Sequence, residues 1–303
     1  MKTLPFSKPG RWFRGNLHTH STNSDGHRSP AQVCAYYRRR GYGFISLTDH
    51  FLENYGWPVS DTTPYRTKGF TTILGAELHT PKTSLGDQWH ILAVGLPADF
   101  APTGKRETGP QLAKRARDAG AYVAAAHPAW YDLTDRDVLA LKAAHAIEIF
   151  NTTCARHNGK GDSTSYLDRL LSQGHRYHAI ATDDAHFSPG RLDMGVNWVM
   201  VRARKHDPKS LLAALHAGSF YASQGPEIRD VKIERRRKLT VRTSGVRAVF
   251  VSGRGSLSAY AHAQATRDLT KTEMDVSKFR GSYARITIVD RRGNRAWTNP
   301  FEL

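Results

Sequence analysis

The stretch Gly15-Asn16-Leu17-His18-Thr19-His20, followed by Ser24-Asp25-Gly26, carries the first metal-ligand candidates of the chain. The residues before it predict a short strand, and residues two apart in a strand face the same side. His18 and His20 therefore present two imidazoles to one point. Asp25 follows in a turn that the Asp-Gly pair indicates. Two imidazoles and a carboxylate at the end of an early strand predict part of a metal site.

The composition sets the class of protein. The chain has 303 residues, of which 39% are hydrophobic and 10% aromatic. The length suits an α/β barrel, or a barrel with a small appendage, and the composition suits a soluble globular protein. The sequence shows neither a membrane-spanning apolar run nor an N-terminal run of signal-peptide type, so we expect a cytoplasmic protein that does not bind membranes. Cys34 and Cys154 lie too far apart for a CxxC pair and predict buried or idle thiols.

The net charge of +17 favours anionic partners. A small anionic or ester substrate fits this field, and nucleic acid is a possible partner. The dense basic runs are Arg38-Arg39-Arg40, on a predicted helix, and Arg235-Arg236-Arg237-Lys238, in a predicted hairpin turn. Charge runs are usually solvated faces, so nucleic-acid binding is not the favoured interpretation. The pattern makes no prediction of oligomeric state.

Strands and helices alternate through the first two thirds of the chain, as in α/β proteins. The helical segment between some strands is short or missing, notably from Glu77 to His90, which favours a distorted barrel. The predicted strands are 44–48, 71–74, 89–96, 121–126, 146–150, 178–182 and 198–202, and the predicted helices are 29–41, 109–119, 135–144, 165–172 and 208–217.

The pattern changes after about Ser219. Residues 231–233, 239–242, 248–251 and 284–289 alternate like strands, and turn signals such as Ser244-Gly245 separate them. We therefore predict a distorted α/β barrel over residues 1–219 and a small antiparallel β module over residues 220–303, packed on the barrel.

Polar candidates recur where the predicted barrel strands run into loops, which is where catalytic residues of such barrels collect. Burying many imidazoles and carboxylates is costly unless they are paired or bind metal. A metal cluster is therefore the favoured interpretation. The candidates are His18, His20, His50, His90, His127 and His186, with Asp25, Asp49, Glu77 and Asp184.

The ordered series Gly15–His20, Ser24-Asp25-Gly26, Leu47-Thr48-Asp49-His50, Glu77, His90, His127-Pro128 and Asp184-Ala185-His186 resembles the PHP (polymerase and histidinol phosphatase) superfamily. The Gly-Asn-Leu opening, the stretch from Phe220 to Pro226 and the closing Ala296-Trp297-Thr298-Asn299-Pro300 resemble its carbaryl-hydrolase-like branch. The resemblance covers nearly the whole chain. It implies a distorted (β/α)7 barrel that holds two or three divalent ions.

Carried over position by position, the resemblance implies three ion positions that share nine ligands. The first would be held by His18, His20, Glu77 and Asp184, the second by Glu77, His90 and His127, and the third by Asp25, His50 and His186. Many relatives have His where this chain has Asp25. Imidazole with carboxylate suits Mn²⁺, Fe²⁺ or Zn²⁺ better than Mg²⁺ or Ca²⁺.

The catalytic candidates are Glu77, Asp25 and His186. Glu77 would bridge two ions, which can lower the pKa of a bridging water and stabilise the charge that develops on the attacked group. At the third position, an ion or a protonated His186 would assist the leaving group.

Two of the ligand assignments have rivals nearby. His79 could share the face of Glu77, but His90 fills the matching place, so His79 is predicted to lie behind the ligands or on the substrate side. Strand parity favours Asp184 over Asp183, because Asp184 shares a side with His186. Asp183 and Asp49 are predicted to orient ligands. Loop arginines fit phosphate, and the substrate candidates are Arg28, Asn151, Arg156, His157 and Arg191.

The sequence thus predicts a multinuclear metal-dependent hydrolase, a phosphoesterase that acts on a small phosphate ester or nucleotide through a metal-bridging hydroxide. A carboxylesterase or carbamate hydrolase on the same site is the first alternative. A nucleic-acid-binding or nuclease-like protein is the second. The sequence shows no GxxxxGK phosphate loop and no GxSxG elbow, so serine-hydrolase chemistry has no support.

Overall fold

The computed structural model describes residues 4–235 and 237–303, so Arg236 of the second basic run lies outside the described residues. The chain forms a mixed α/β fold with several sheets. The helices are α1 (Pro30–Arg39), α2 (Gly109–Asp118), α3 (Asp135–Ala140), α4 (Thr152–His157), α5 (Thr164–Ser172) and α6 (Pro208–His216). The strands are β1 (Arg11–Asn16), β2 (Phe44–Ile45), β3 (His50–Phe51), β4 (Thr71–Thr72), β5 (Gly75–Thr80), β6 (Trp89–Val94), β7 (Tyr122–Ala125), β8 (Ala146–Asn151), β9 (His178–Thr182), β10 (Trp198–Ala203), β11 (Phe220–Ser223), β12 (Ile228–Glu234), β13 (Lys238–Val246), β14 (Ala248–Ser252), β15 (Ser258–His262), β16 (Leu269–Asp275), β17 (Tyr283–Val289), β18 (Arg295–Thr298) and β19 (Phe301–Glu302).

A six-stranded sheet in the order β3-β5-β6-β7-β8-β9 carries several site residues. Its β5 and β6 are antiparallel neighbours, and β6 also pairs antiparallel with β7. A short hairpin suffices to join antiparallel strands, which explains the missing helix between Glu77 and His90. The predicted third strand was wrong in its extent, because β4 is only two residues long and Glu77 lies within its own strand, β5.

A second, larger sheet runs through both halves of the chain. Its order is β15-β14-β17-β18-β11-β10-β1-β2-β4, and β19 pairs with β17. The predicted boundary at residues 219/220 falls between β10 and β11, which are antiparallel neighbours in this sheet. A further sheet, β12-β13-β16, shares a hydrophobic core with β14 and β17. The C-terminal strands are therefore joined to the N-terminal half by main-chain hydrogen bonds. The division into two domains stays a prediction.

Backbone hydrogen bonds beyond the regular strands connect the two larger sheets near the first histidines. The amide of Asp184 donates to the His18 carbonyl at 2.9 Å, and the amide of Thr48 donates to the Thr19 carbonyl at 2.9 Å. The amide of Glu77 donates to the Asp49 carbonyl at 3.2 Å. These bonds bring the ends of β1, β2, β5 and β9 to one place.

Local sequence explains how the first histidine motif is positioned. Gly15 pairs with Phe44, and a Cβ on Gly15 would lie 2.1 Å from the Phe44 ring. Glycine therefore allows β1 to approach β2 closely. The helix that follows begins with a capping box, in which Ser29 Oγ accepts from the Gln32 amide and the Gln32 side chain accepts from the Ser29 amide. The prediction of a helix that begins at Ser29-Pro30 is confirmed.

Several elements were not predicted. Helix α4 follows directly on β8, and its short length gives little periodicity. In the C-terminal region, β15, β16 and β18 were missed, whereas the hairpin between β12 and β13 is confirmed by their antiparallel pairing from Ile228 to Lys238. None of the helices in the described ranges is both long and apolar enough to cross a membrane.

Candidate metal centre

The nine predicted metal ligands lie together in the structure. Their ligand atoms form overlapping groups whose members lie within 4.8 Å of one another. The groups are His18, His20 and Glu77; His18, His127 and Asp184; Glu77, His90 and His127; His20, Asp25, His50 and His186; and His50, Glu77 and His79. The sequence-derived grouping is close to this arrangement, with three differences. His127, predicted to lie with Glu77 and His90, also groups with His18 and Asp184. His20 also reaches the Asp25 group, and His79 lies beside the cluster.

Glu77 is the centre of the cluster and is only 1% exposed. Its Oε1 accepts hydrogen bonds from His90 Nδ1 at 2.9 Å and His127 Nε2 at 3.1 Å. Its Oε2 lies 2.8 Å from His50 Nδ1 and 3.5 Å from His18 Nε2. The two oxygens of one carboxylate therefore face histidines of different predicted ion positions.

Asp184 joins the histidine pair of the opening motif. Its Oδ1 lies 2.9 Å from His20 Nε2 and 3.1 Å from His18 Nε2. All three side chains are buried. Asp184 also has a φ of 53°, in the left-handed region that non-glycine residues rarely adopt. Its position is therefore set by the surrounding contacts and not by backbone preference.

The third group is more open to solvent. Asp25 lies 3.4 Å from His50 Nε2 and 3.4 Å from His186 Nε2, and its side chain is 40% exposed. The His20 ring lies between those of His50 and His186, with centroids 4.3 and 4.2 Å away. A carboxylate at the solvent edge and imidazoles behind it form the mouth of the cluster.

The carboxylates hold protons on some of the histidines. Burial opposes the charge of His50, but Glu77 and Asp25 outweigh it and raise the pKa of His50 to about 10. Burial likewise opposes the charge of His186, and Asp25 and Asp184 raise its pKa to about 9. These protonated imidazoles balance the negative charge of the buried acids, which is a role that a bound cation would also fill.

Other histidines of the cluster stay neutral. Burial and the neighbouring imidazoles lower the pKa of His20 to about 3. Burial lowers the pKa of His90 to about 3, despite the attraction of Glu77. Burial opposes the charge of Glu77 and Asp184, yet the surrounding histidines hold the pKa of both below its ordinary value. Neutral imidazoles and ionised carboxylates are the protonation states that bind metal.

Unpaired polar atoms show that the residues fit a metal ion. Among the described residues, His18 Nε2, His20 Nδ1, Glu77 Oε2 and His127 Nδ1 are buried and make no hydrogen bond. Leaving such atoms unpaired inside a protein is costly. All four residues belong to groups that include Glu77. Imidazole nitrogens with carboxylate oxygens suit Mn²⁺, Fe²⁺ or Zn²⁺.

His79 lies behind His50. Its Nδ1 lies 3.0 Å from the Trp89 carbonyl, which can only accept, so this nitrogen carries the proton. His79 Nε2 is then an acceptor, and it lies 2.8 Å from His50 Nδ1. His50 Nδ1 therefore donates, and its Nε2 faces Asp25. This contact agrees with the prediction that His79 lies behind the ligands.

Two acids have roles other than those predicted. Asp49 accepts hydrogen bonds from the side chains of Ser21, Ser24 and Ser60, and these bonds hold the turn that presents Asp25. Asp183 accepts from Tyr37 and from the amides of residues 195–197. Asp49 thus holds the chain beside the site, whereas a direct bond to a histidine ligand was expected.

A cavity of about 350 Å³ opens over the cluster. Of the predicted substrate residues, His157 and Arg191 line it, together with His27, Trp130, Thr153, Cys154 and Ser188. Arg28 does not line it, because its guanidinium packs on Tyr36 and Phe187. Arg156 is exposed on α4 and outside the lining. The sequence could not separate these arginines, because all of them lie in segments that follow strand ends.

Asn151 is buried beneath the cluster and does not line the cavity, so its predicted contact with substrate needs correction. Its amide nitrogen donates to Glu148 Oε2 and to Asp184 Oδ2, each at 3.0 Å, and its oxygen accepts from the Cys154 amide. Glu148 itself was missed. The available signal was a single acid within the apolar sequence Ala146-Ile147-Glu148-Ile149-Phe150.

The fold is similar to that of solved proteins. A two-domain protein from Bacteroides vulgatus, described as containing a predicted PHP-like metal-dependent phosphoesterase, matches with a TM-score of 0.54 and 15% identity over 99% of both chains. A proposed metal-dependent phosphoesterase from Bifidobacterium adolescentis matches with a TM-score of 0.43 and 17% identity over 59% of this chain and 90% of its own. An amidohydrolase from Chromobacterium violaceum matches with a TM-score of 0.43 and 15% identity, over 58% of this chain and 88% of its own. No protein-family model and no curated protein matches the sequence.

Proposed function

We propose that the protein is a metal-dependent phosphoesterase that hydrolyses a small phosphate ester or a nucleotide. The observation that carries the proposal is Glu77, whose two carboxylate oxygens face histidines of different ligand groups beneath an open cavity. Bridging carboxylates are typical of sites that place two ions close together for hydrolysis. The cavity rim adds the guanidinium of Arg191, and guanidinium groups bind phosphate in a bidentate manner.

We also propose a distorted (β/α)7 barrel for residues 1–219, a C-terminal β module for residues 220–303, and membership of the carbaryl-hydrolase-like branch of the PHP superfamily. The barrel is supported by the backbone bonds that join Asp184 to His18, Thr48 to Thr19 and Glu77 to Asp49. The branch is supported by the sequence motifs at both ends of the chain.

The proposed roles divide the cluster into binding and proton-transfer parts. His18, His20, Glu77, Asp184, His90 and His127 would hold two ions, and Asp25, His50 and His186 would hold a third. Bound Mn²⁺, Fe²⁺ or Zn²⁺ supplies Lewis acidity, which lowers the pKa of water and stabilises negative charge on the substrate. His186, whose pKa is raised to about 9, carries a proton beside Asp25 and can donate it to a leaving oxygen when no third ion is bound.

A hydrolysis screen tests this function. The protein is assayed with Mn²⁺ or Zn²⁺ against phosphomonoesters, phosphodiesters, aryl esters and carbamates, with and without a chelator. We expect phosphoester turnover that the chelator abolishes. Glu77→Gln should lower the turnover by about 10³-fold or more, because it removes the charge shared by the ions. Glu107→Gln is the control, since Glu107 pairs with Arg115 and does not line the cavity. Normal turnover by the Glu77 variant would contradict the proposal.

The same screen decides between the alternatives. Trp130 and Cys154 give the cavity an apolar wall, which favours a carboxylesterase or carbamate hydrolase as the second candidate. Chelator-sensitive turnover of aryl esters or carbamates, without phosphoester turnover, would establish that candidate. The nucleic-acid alternative depends on exposed basic residues such as Arg38 and Arg39 of α1. Salt-dependent retention of single-stranded oligonucleotides would support it.

A further inference from the structure

A buried carboxylate lies beneath the metal-ligand candidates without belonging to them. Glu148 is in β8, on a strand that is otherwise apolar up to Asn151, and its side chain is fully buried. A buried acid is costly unless its oxygens are well paired. The contacts of Glu148 therefore indicate why the chain keeps it.

Four donors satisfy the two oxygens of Glu148. Oε1 accepts from Thr182 Oγ1 and lies 3.0 Å from His18 Nδ1. Oε2 accepts from the His127 amide at 2.7 Å and from Asn151 Nδ2 at 3.0 Å. Because amide N–H groups and a hydroxyl supply the other three contacts, Glu148 is an acceptor throughout. His18 Nδ1 must therefore carry the proton, which leaves His18 Nε2 as the atom that can bind metal.

The remaining contacts of Glu148 reach two further ligand candidates. His127 has a φ of 24°, a strained value for a non-glycine residue, and its amide is held by Glu148. Asn151 donates from the same nitrogen to Glu148 and to Asp184 Oδ2, so it connects the two carboxylates. Glu148 thus contacts two ligand candidates directly, His18 and His127, and is linked to a third, Asp184, through Asn151.

We propose that Glu148 is a positioning residue that orients His18, His127 and, through Asn151, Asp184 for ion binding. This inference rests on the proposed metal-dependent function. It assigns Glu148 to the first and second ion positions, because its contacts include His18, His127 and Asn151 and none of the third group. The carboxylate keeps His18 in one tautomer and holds the backbone of His127, so ions meet preformed ligands.

Ion binding by Glu148→Gln tests the inference without reference to turnover. Mn²⁺ affinity and stoichiometry are measured by equilibrium dialysis with metal analysis, and Co²⁺ absorption spectra report the ligand geometry. Loss of such partners costs about 10–100-fold in metal affinity. We expect a loss of that size, together with an altered Co²⁺ spectrum. Glu148→Asp keeps the charge, but it is one methylene shorter and cannot reach His18 and His127 together, so it should also bind more weakly.

Asp137→Asn is the matched control. Asp137 is a buried carboxylate that accepts hydrogen bonds from Ser84 and Thr134, away from the cavity. Its variant should lower the melting temperature of the ion-free protein and leave Mn²⁺ affinity unchanged. Wild-type affinity in either Glu148 variant that folds would overturn the positioning role. Less than one ion per chain in the wild-type protein would instead refute the metal centre itself, so the two failures are distinguishable.

Discussion

Replacing Arg191 with alanine tests whether the cavity rim selects anionic substrates. Arg191 is exposed and lines the cavity, and in the described parts of the chain its side chain has no hydrogen bond or ion pair. Arg191→Ala therefore leaves no group unpaired, and the free energy of unfolding should change by less than about 0.5 kcal/mol. A hydrogen bond to a charged group is worth about 1.5–3 kcal/mol. At 1.4 kcal/mol for each factor of ten, kcat/KM for a phosphomonoester should fall by roughly 10- to 150-fold.

The assay compares kcat/KM for a phosphomonoester and a neutral aryl ester, at constant ionic strength and saturating Mn²⁺. Arg156→Ala is the control, because Arg156 is an exposed arginine on α4 that does not line the cavity. Both variants lower the net charge of +17 by one, so they weaken the long-range field equally. An equal loss of kcat/KM in the two variants would mean that the effect comes from the overall positive charge and not from a contact with the substrate. An unchanged value for Arg191→Ala would refute the proposed contact with phosphate.

Two predictions concern stability. Asp168→Asn should lower the free energy of unfolding by about 2–3 kcal/mol, because it leaves the buried guanidinium of Arg285 without its bidentate partner. Thermal unfolding measures this loss, and a loss below about 0.5 kcal/mol would contradict the prediction. Burial lowers the pKa of His178 to about 4, so acid protonates the unfolded chain first. The free energy of unfolding of the wild type, relative to that of His178→Gln, should therefore fall by up to about 3 kcal/mol between pH 7 and pH 4. Urea unfolding of both proteins across this range tests it, and a difference between them that does not change with pH would refute it.

The ligand candidates could be picked out of the sequence because they lie near predicted strand ends, and the structure brings them together. His18 and His20 lie two positions apart just beyond β1, and both converge on Asp184 Oδ1. Strand parity favours Asp184 over Asp183, and Asp184 Oδ1 lies 3.8 Å from His186 Nδ1, although its φ of 53° is not that of a strand. The remaining histidines follow or lie in successive predicted strands, which predicts that they lie near the same edge of the sheets. The helices begin where capping residues and proline indicate, as at Ser29-Pro30.

The support beneath the ligands could not be predicted in the same way. Glu148 meets His18 across 130 positions of sequence, and nothing in either local pattern encodes that contact. The same limit applies to Asp49, which bonds to serines of two separate loops. The continuous sheet across residues 219/220 was also missed, because alternation predicts a strand without identifying its neighbour.

The two kinds of residue differ for a physical reason. A metal ligand needs a particular side chain at a strand end, and spacing along the chain is enough to reveal it. A positioning residue needs only to complete the hydrogen bonds of groups that the fold brings to it, so its partners are set by strand order. Asp25 illustrates the contrast within the opening motif. Its spacing placed it among the ligands, but its 40% exposure, against full burial of His18 and His20, is a property of the assembled cavity. Water therefore competes for Asp25 more than for the buried ligand candidates, so, of the three proposed ion positions, the third should bind most weakly.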